Sequence, residues 1–216
     1  MKAYASLKEK YSRQASRYDS RWNRTYGRAT LRATVEAVPW DGLQRVLDVG
    51  CGTGGLLEEA GQRNLHPQIR VVGVDLSLAM LQLAQKKVNG TYHASWSNAV
   101  AEHLPFPSGC FDAVVCTNSF HYYRGPLQVL REFRRVLRPG GCLVLTDWCD
   151  DYLACKVSSW TLRLRDRARL RAYALHQCYS MKQCEQMLTQ SGFQIESARR
   201  FKVDWLWGVM TYRARS

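Results

Sequence analysis

The sequence predicts an α/β fold with a mostly parallel sheet and helices on both faces. Three observations carry this prediction. Residues 46–54 read Val-Leu-Asp-Val-Gly-Cys-Gly-Thr-Gly, an apolar strand running into alternating glycines. A helical pattern (Leu56, Leu57, Ala60) begins at once. Apolar strands and amphipathic helices then alternate as far as residue 148. Alternation of this kind marks βαβ units, whose binding crevice lies at the carboxyl ends of the strands.

The first strand–helix turn is the most informative element. Glycines there permit positive φ and let a ligand approach the backbone, so a nucleotide-like cofactor is expected against Gly50–Gly54. Gly50-x-Gly52-x-x-Gly55 also fits a dinucleotide fingerprint, which alone is a weak signal. Asp48 opposes that reading, because a carboxylate so close to the glycines suits a ligand bearing a cation. Val71-Val72-Gly73-Val74-Asp75 is a second buried strand, and Asp75 follows Gly54 by 21 residues. An acid at that distance, at the tip of the second strand, can accept both hydroxyls of a ribose. Ser77 then caps a helix over Leu78–Lys87.

Phe111-Asp112-Ala113-Val114-Val115 continues the sheet and runs into Cys116–Tyr123. Pro126 to Leu137 is apolar at three-and-four spacing, hence an amphipathic helix, and Arg138-Pro139-Gly140-Gly141 terminates it. Cys142–Trp148 reads as the fifth strand. Residues 149–180 alternate apolar and basic side chains and read as one or two amphipathic helices. A helix over Ser180–Ser191 and strand-like runs Phe193–Val203 and Leu206–Arg215 close the chain.

Asp48-x-Gly50-x-Gly52-x-Gly54 resembles motif I of the class I S-adenosylmethionine-dependent methyltransferases. The run Ala101-Glu102-His103-Leu104-Pro105-Phe106, followed by Phe111-Asp112-Ala113-Val114, is similar to a further motif of that family. The order of these segments, with Leu130-Arg131-Glu132 and Arg135-Val136-Leu137-Arg138-Pro139-Gly140-Gly141 after them, resembles the small-molecule (type 11) branch that includes ubiquinone/menaquinone-biosynthesis methyltransferases. The resemblance covers residues 46–148. It implies a Rossmann-like doubly wound sheet of seven strands, mostly parallel with an antiparallel last strand.

The resemblance also implies S-adenosyl-L-methionine as cofactor and S-adenosyl-L-homocysteine as product. Its implied binding set is Asp48, Gly50, Cys51, Gly52, Gly54, Asp75, Leu76, Met80, Ala101, Glu102, Cys116 and Thr117. Asp48 belongs there to the network around the methionine ammonium, and Asp75 to the ribose diol. One position departs from the pattern: the acid that meets the adenine amino group falls at residue 100, which is Val. Asn98 or a backbone carbonyl must replace it, or the contact is absent. Tyr11-x-x-x-Ala15-x-x-Tyr18-Asp19 resembles a lid element, which would bring Tyr11 and Tyr18 over the sulfonium end; a tyrosine face suits a cation there. Docking a terminal helix on the core is the alternative for these aromatics.

A single domain of 216 residues is expected, with residues 1–40 as a helical lid, 41–148 as the cofactor core, 149–180 as a helical cap over substrate, and 181–216 as the last helix and strand pair. The N-terminal residues show no apolar signal region, so a cytoplasmic protein is expected. The formal net charge of +13 favours acidic partners: nucleic acid, an anionic membrane surface, or an acidic small substrate. The eight cysteines include no Cys-x-x-Cys pair, so no metal site of the common zinc type is expected. Cys149/Cys155 and Cys178/Cys184, with His176 nearby, leave a thiol-rich site open beside the plainer reading of reduced structural thiols.

Methyl transfer from a sulfonium asks the protein mainly for position and a dry pocket, and sometimes for a base. His121, just past the fourth strand, is the candidate base. Tyr122 and Tyr123 are placed to orient substrate, Tyr122 being grouped with His121 as catalytic; shaping the pocket is the alternative for His121. The leading reading is a small-molecule methyltransferase with a hydrophobic or acidic acceptor. A nucleic-acid methyltransferase is the first alternative. Cys116-Thr117-Asn118-Ser119 argues against nucleic acid, because the amino-group enzymes carry Asn/Asp-Pro-Pro-aromatic there. A cofactor-binding fold relative without transfer is the second.

Overall fold

The computed structural model describes residues 4–19, 21–63, 68–88, 93–157, 160–161 and 177–216. Seven strands form one sheet: β1 Arg45–Val49, β2 Arg70–Asp75, β3 His93–Asn98, β4 Phe111–Thr117, β5 Leu137–Trp148, β6 Gln194–Lys202 and β7 Gly208–Arg215. Their order is β3-β2-β1-β4-β5-β7-β6. β7 alone runs antiparallel, pairing β5 on one side and β6 on the other. The expected seven-stranded, mostly parallel sheet with an antiparallel last strand is therefore what the chain forms.

The helices are α1 Ala5–Gln14, α2 Arg21–Ala37, α3 Gly55–Gly61, α4 Leu78–Val88, α5 Pro126–Val136 and α6 Met181–Gln190. Strand alternation decides which face each covers. On β4 and β5, Val114, Cys116, Leu143 and Leu145 face α5 and α6, through Leu130, Phe133 and Leu188. Ala113, Val115, Cys142 and Val144 face the other way, onto Val35 of α2, Val38 just beyond it, and Leu56 and Leu57 of α3. Both faces are covered, which is why these strands read as continuous apolar runs rather than alternating ones.

Several boundaries differ from expectation, and two of the shifts have a visible cause. β5 begins at Leu137 rather than after the glycines, because Leu137 already pairs with Phe111 of β4. α6 starts one residue later than predicted because Ser180 is its cap: the hydroxyl accepts from Gln183 N while the Gln183 side chain accepts from Ser180 N, a reciprocal capping box. Of the segment 149–180, residues 153–157 are helical; Arg163 to Arg171, Tyr173, Leu175 and His176, on which much of the predicted cap and basic run rests, lie outside the described residues. The same holds for the side chains of Trp22 and Tyr26. No helix among the described residues is long and apolar enough to cross a membrane.

The strand order places the site. The chain steps outward from β1 through β2 to β3, then returns to β4 on the other side of β1. At such a switch point the helices leave in opposite directions and open a crevice beyond the strand ends. Gly50 and Asn118, immediately after β1 and β4, stand at that crevice.

Candidate active site

The crevice has two compartments that share Tyr11, Tyr18, Gly50, Gly52, Asn118 and Tyr122 as walls. The narrower one is lined by Asp75, Leu76, Met80, Val100, Ala101 and Glu102. The wider, about 630 Å³, is lined by Asp48, Cys51, Thr53, Thr117, His121 and Trp148.

The glycine turn is built for close approach. Gly50 has φ +76°, and a Cβ there would lie 2.4 Å from the Ser119 side chain. Its N–H and that of Cys51 donate to Val74 O at 2.8 and 3.0 Å, which fixes the turn against β2. Asp75 does the same from the other side, one carboxylate oxygen accepting Gly52 N at 2.9 Å and the other accepting Ser77 N at 2.8 Å. Each oxygen keeps lone-pair capacity for a ligand hydroxyl.

Asp48 is 4% exposed, and no hydrogen bond among the described residues reaches its carboxylate. Burial, with Asp75 adding repulsion, pushes its pKa up from 3.8 to about 7. A buried carboxylate without donors is costly unless a cation completes it. A second orphan stands nearby. Asn118 holds a left-handed φ of 52°, uncommon for a residue with a side chain. Its amide nitrogen donates to Thr30 Oγ1, which itself donates to Gly27 O, so the amide orientation is fixed. Asn118 Oδ1 is left buried without a partner. Strain and an unmet acceptor at a crevice wall point to a ligand that supplies the donor.

The N-terminal segment contributes Tyr4, Leu7, Tyr11 and Tyr18 to the crevice walls. Tyr4 OH donates to Glu102 and accepts Arg124 N at 3.0 Å. Tyr11 OH donates to Tyr122 OH. Ser12 and Ser77 hydroxyls lie 3.1 Å apart, and Asp19 accepts from Thr53 and pairs with Lys87. The rings of Tyr11, Tyr18 and Tyr122 meet edge-on, with Tyr11 centroids 5.9 and 5.6 Å from the other two.

Several predicted residues take other parts. Gly54 lines neither compartment; its Cβ direction points at Ala84 and Val88 of α4, both at 3.3 Å, so it serves helix packing. Cys116 is fully buried on the α5 face with its thiol 3.1 Å from Ser119 Oγ, and it too lines neither compartment. Tyr123 spends its hydroxyl on Ser119 Oγ, at 3.0 Å beneath Gly50, rather than on substrate. Tyr122 bonds the Tyr11 hydroxyl, and burial pushes its own pKa up, so it acts as a neutral wall rather than a base. Asn98, the candidate stand-in at the adenine end, donates its amide N–H groups to Asp75 O and Leu76 O, both at 2.9 Å, and lines neither compartment. Val100 packs with Tyr4, Leu7 and Leu76, which makes that end apolar.

Sequence reasoning missed three residues. Asp147, at the carboxyl end of β5, accepts from His121 N at 2.9 Å and lies 2.7 Å from His121 Nδ1. An acid at a strand end was the very signal that singled out Asp48 and Asp75. Glu132 and Arg135 of α5 hold the loop that lines the narrow compartment: Leu104 N donates to Glu132 at 3.0 Å, and Arg135 donates to Phe106 O and Leu104 O at 2.8 and 3.0 Å. None of the eight cysteines is in a disulfide, and among the described residues no three metal-ligating side chains converge.

Residues 47–145 match the family model described as a methyltransferase domain. Over those residues, just under half of its length, the chain is similar to the class I S-adenosylmethionine-dependent methyltransferases. It is 34% identical over 118 residues to the malonyl-[acyl-carrier protein] O-methyltransferase of Legionella pneumophila, covering 55% of this chain and 41% of that protein. It is 40% identical over 106 residues to the demethylmenaquinone methyltransferase of Deinococcus radiodurans, covering 49% and 43%. The chain thus spans less than half the length of these relatives. Among solved structures, a Haloferax volcanii protein in complex with the Trm112 methyltransferase activator superposes with TM-score 0.76 at 18% identity, covering 95% of this chain and 96% of that one. A SAM-dependent methyltransferase from Aquifex aeolicus gives 0.66 at 20%, covering 94% and 97%. These likenesses establish the fold.

Proposed function

We propose that this chain is an S-adenosylmethionine-dependent methyltransferase that moves a methyl group from S-adenosylmethionine to a small acceptor bound in the wider compartment. The observation that carries the reading is the buried Asp48 carboxylate without hydrogen bonds, facing the same crevice as Asp75 and Asn118 Oδ1. A ligand with an ammonium at one end and a ribose at the other satisfies all three. In this reading Asp75 accepts the ribose hydroxyls, Leu76, Met80 and Val100 pack on the adenine, and Gly50 and Gly52 permit backbone approach. Asp48 and Asn118 accept the ammonium. When bound, the cofactor supplies an electrophilic methyl group carried on sulfur.

The remaining work is done by this chain's own residues. Tyr11, Tyr18 and Tyr122 exclude water between the compartments, since a dry site strengthens every fixed dipole in it. His121 stands in the wall of the wider compartment, where an acceptor would lose a proton. The relatives are named for a malonyl-[acyl-carrier protein] and for demethylmenaquinone, which supports an acidic or hydrophobic acceptor here. The charge of +13 fits an acidic acceptor or an anionic membrane surface from which an apolar one is drawn.

Incubation with methyl-labelled cofactor and separate pools of quinol, carboxylate, phenol and RNA acceptors tests this. Label in a small-molecule pool supports the reading. Label in RNA alone would replace it with nucleic-acid modification.

A further inference from the structure

We propose that Asp147 is a positioning residue: it holds His121 as the Nδ1–H tautomer, so that Nε2 takes a proton from an acceptor whose nucleophile is a protic hydroxyl or amine. The inference rests on the methyltransferase reading for its chemistry, but its geometry stands independently.

Three donors converge on one carboxylate. Oδ2 accepts His121 N at 2.9 Å. Oδ1 accepts Trp148 N at 2.7 Å and meets His121 Nδ1, also at 2.7 Å. A carboxylate can only accept, so the hydrogen in the last contact belongs to Nδ1. In a neutral imidazole the lone pair is then on Nε2. Both side chains are nearly closed to solvent, 6% and 2% exposed, so water does not compete for this contact. The ring is also held from the side by Tyr122, with centroids 4.0 Å apart. Residues 26 apart in sequence are thus locked by the pairing of β4 with β5, which puts both strand ends at the same crevice.

A buried pair of this kind suits one task. When an acceptor's O–H or N–H breaks, its proton forms a bond to Nε2, and the electron pair stays on the oxygen or nitrogen that attacks. The imidazolium that results lies against the Asp147 carboxylate, which stabilises it without accepting the proton. A carboxylate acceptor is already anionic and needs no such base. The dyad therefore selects phenolic, enolic or amine acceptors from the small-molecule class.

The test is long-range nitrogen-15 NMR of the histidine rings in the intact protein, which needs no acceptor. His121 is assigned by the resonance lost in His121→Asn. Protonated Nδ1 and unprotonated Nε2 are expected in the wild type. In Asp147→Asn the amide NH2 must face one of the three donors, so the ring is expected to change tautomer or lose a single one. Turnover of a phenolic or amine acceptor should then fall about 100-fold or more with KM and cofactor affinity unchanged. A wild-type Nε2–H tautomer would overturn the proposal even if Asp147→Asn fails to fold. So would unchanged turnover in a folded Asp147→Asn. Absence of cofactor binding with the Nδ1–H tautomer intact would instead sink the methyltransferase reading.

Discussion

Asp48 is the residue on which the electrostatics of the site turn. Its pKa of about 7 lies above the ordinary 3.8, so the folded state holds this proton more tightly than the unfolded chain does. The sign follows: the stability it contributes is present below the ordinary value and is lost as pH rises through about 7 in the ligand-free protein. A cofactor ammonium favours the carboxylate, so binding must displace the proton at acid pH. Cofactor affinity should weaken as pH falls below about 7, with proton release visible by calorimetry in buffers of different ionisation heat, and Asp48→Asn should abolish both. Gly50 offers a steric counterpart. Gly50→Ala combines a left-handed φ with a 2.4 Å overlap on Ser119, so a loss of about 2 kcal/mol or more in thermal unfolding is expected.

The residue scale also shows what could be read from sequence. Asp48, Gly50, Gly52 and Asp75 were legible because a strand end, a glycine turn and an acid are local signals. Gly54 and Cys116 lie outside both compartments because a motif gives membership and not direction: the turn aims Gly54 at α4, and the two-residue period of β4 turns Cys116 onto α5. Asp147 shared the strand-end signal, but its partner became visible only once β4 lay beside β5.

At the scale of elements, two assemblies shape the crevice without touching the expected chemistry. α5 pins the 101–106 loop through Glu132 and Arg135, so its run of charged residues is a clamp rather than a solvated face. Arg135→Met leaves two carbonyls without their donor and should cost about 1–3 kcal/mol in denaturant unfolding, with weaker cofactor binding through a looser adenine wall. α1 is the other. Its latches join residues 98 positions apart, Tyr4 to Glu102, and 65 apart, Ser12 to Ser77, so no local pattern announces them. Tyr4→Phe removes the bonds to Glu102 and to Arg124 N, and faster cofactor release in stopped-flow measurements is expected. An unchanged release rate would mean that α1 is docking on the core rather than acting as a lid.

For the whole molecule, the doubly wound sheet follows from where strands change faces and where glycines break them. The order β3-β2-β1-β4-β5-β7-β6 was readable only through family resemblance, because nothing local in the sequences of β6 and β7 says which lies beside β5. The switch point beside β1 gathers Gly50, Asp75, Asn118 and His121 from three separate stretches of chain into one crevice. A ligand that bridges those stretches should stabilise the whole domain, by about 2.7 kcal/mol at a hundredfold excess over Kd.

Calorimetric titration of the purified protein with S-adenosylmethionine, S-adenosylhomocysteine and NADH tests the central claim most directly. Micromolar binding of both sulfur nucleotides, no binding of NADH, and loss of affinity in Asp75→Asn are the predicted results. Binding of NADH in place of the sulfur nucleotides, or affinity for them unchanged by Asp75→Asn, would contradict the account.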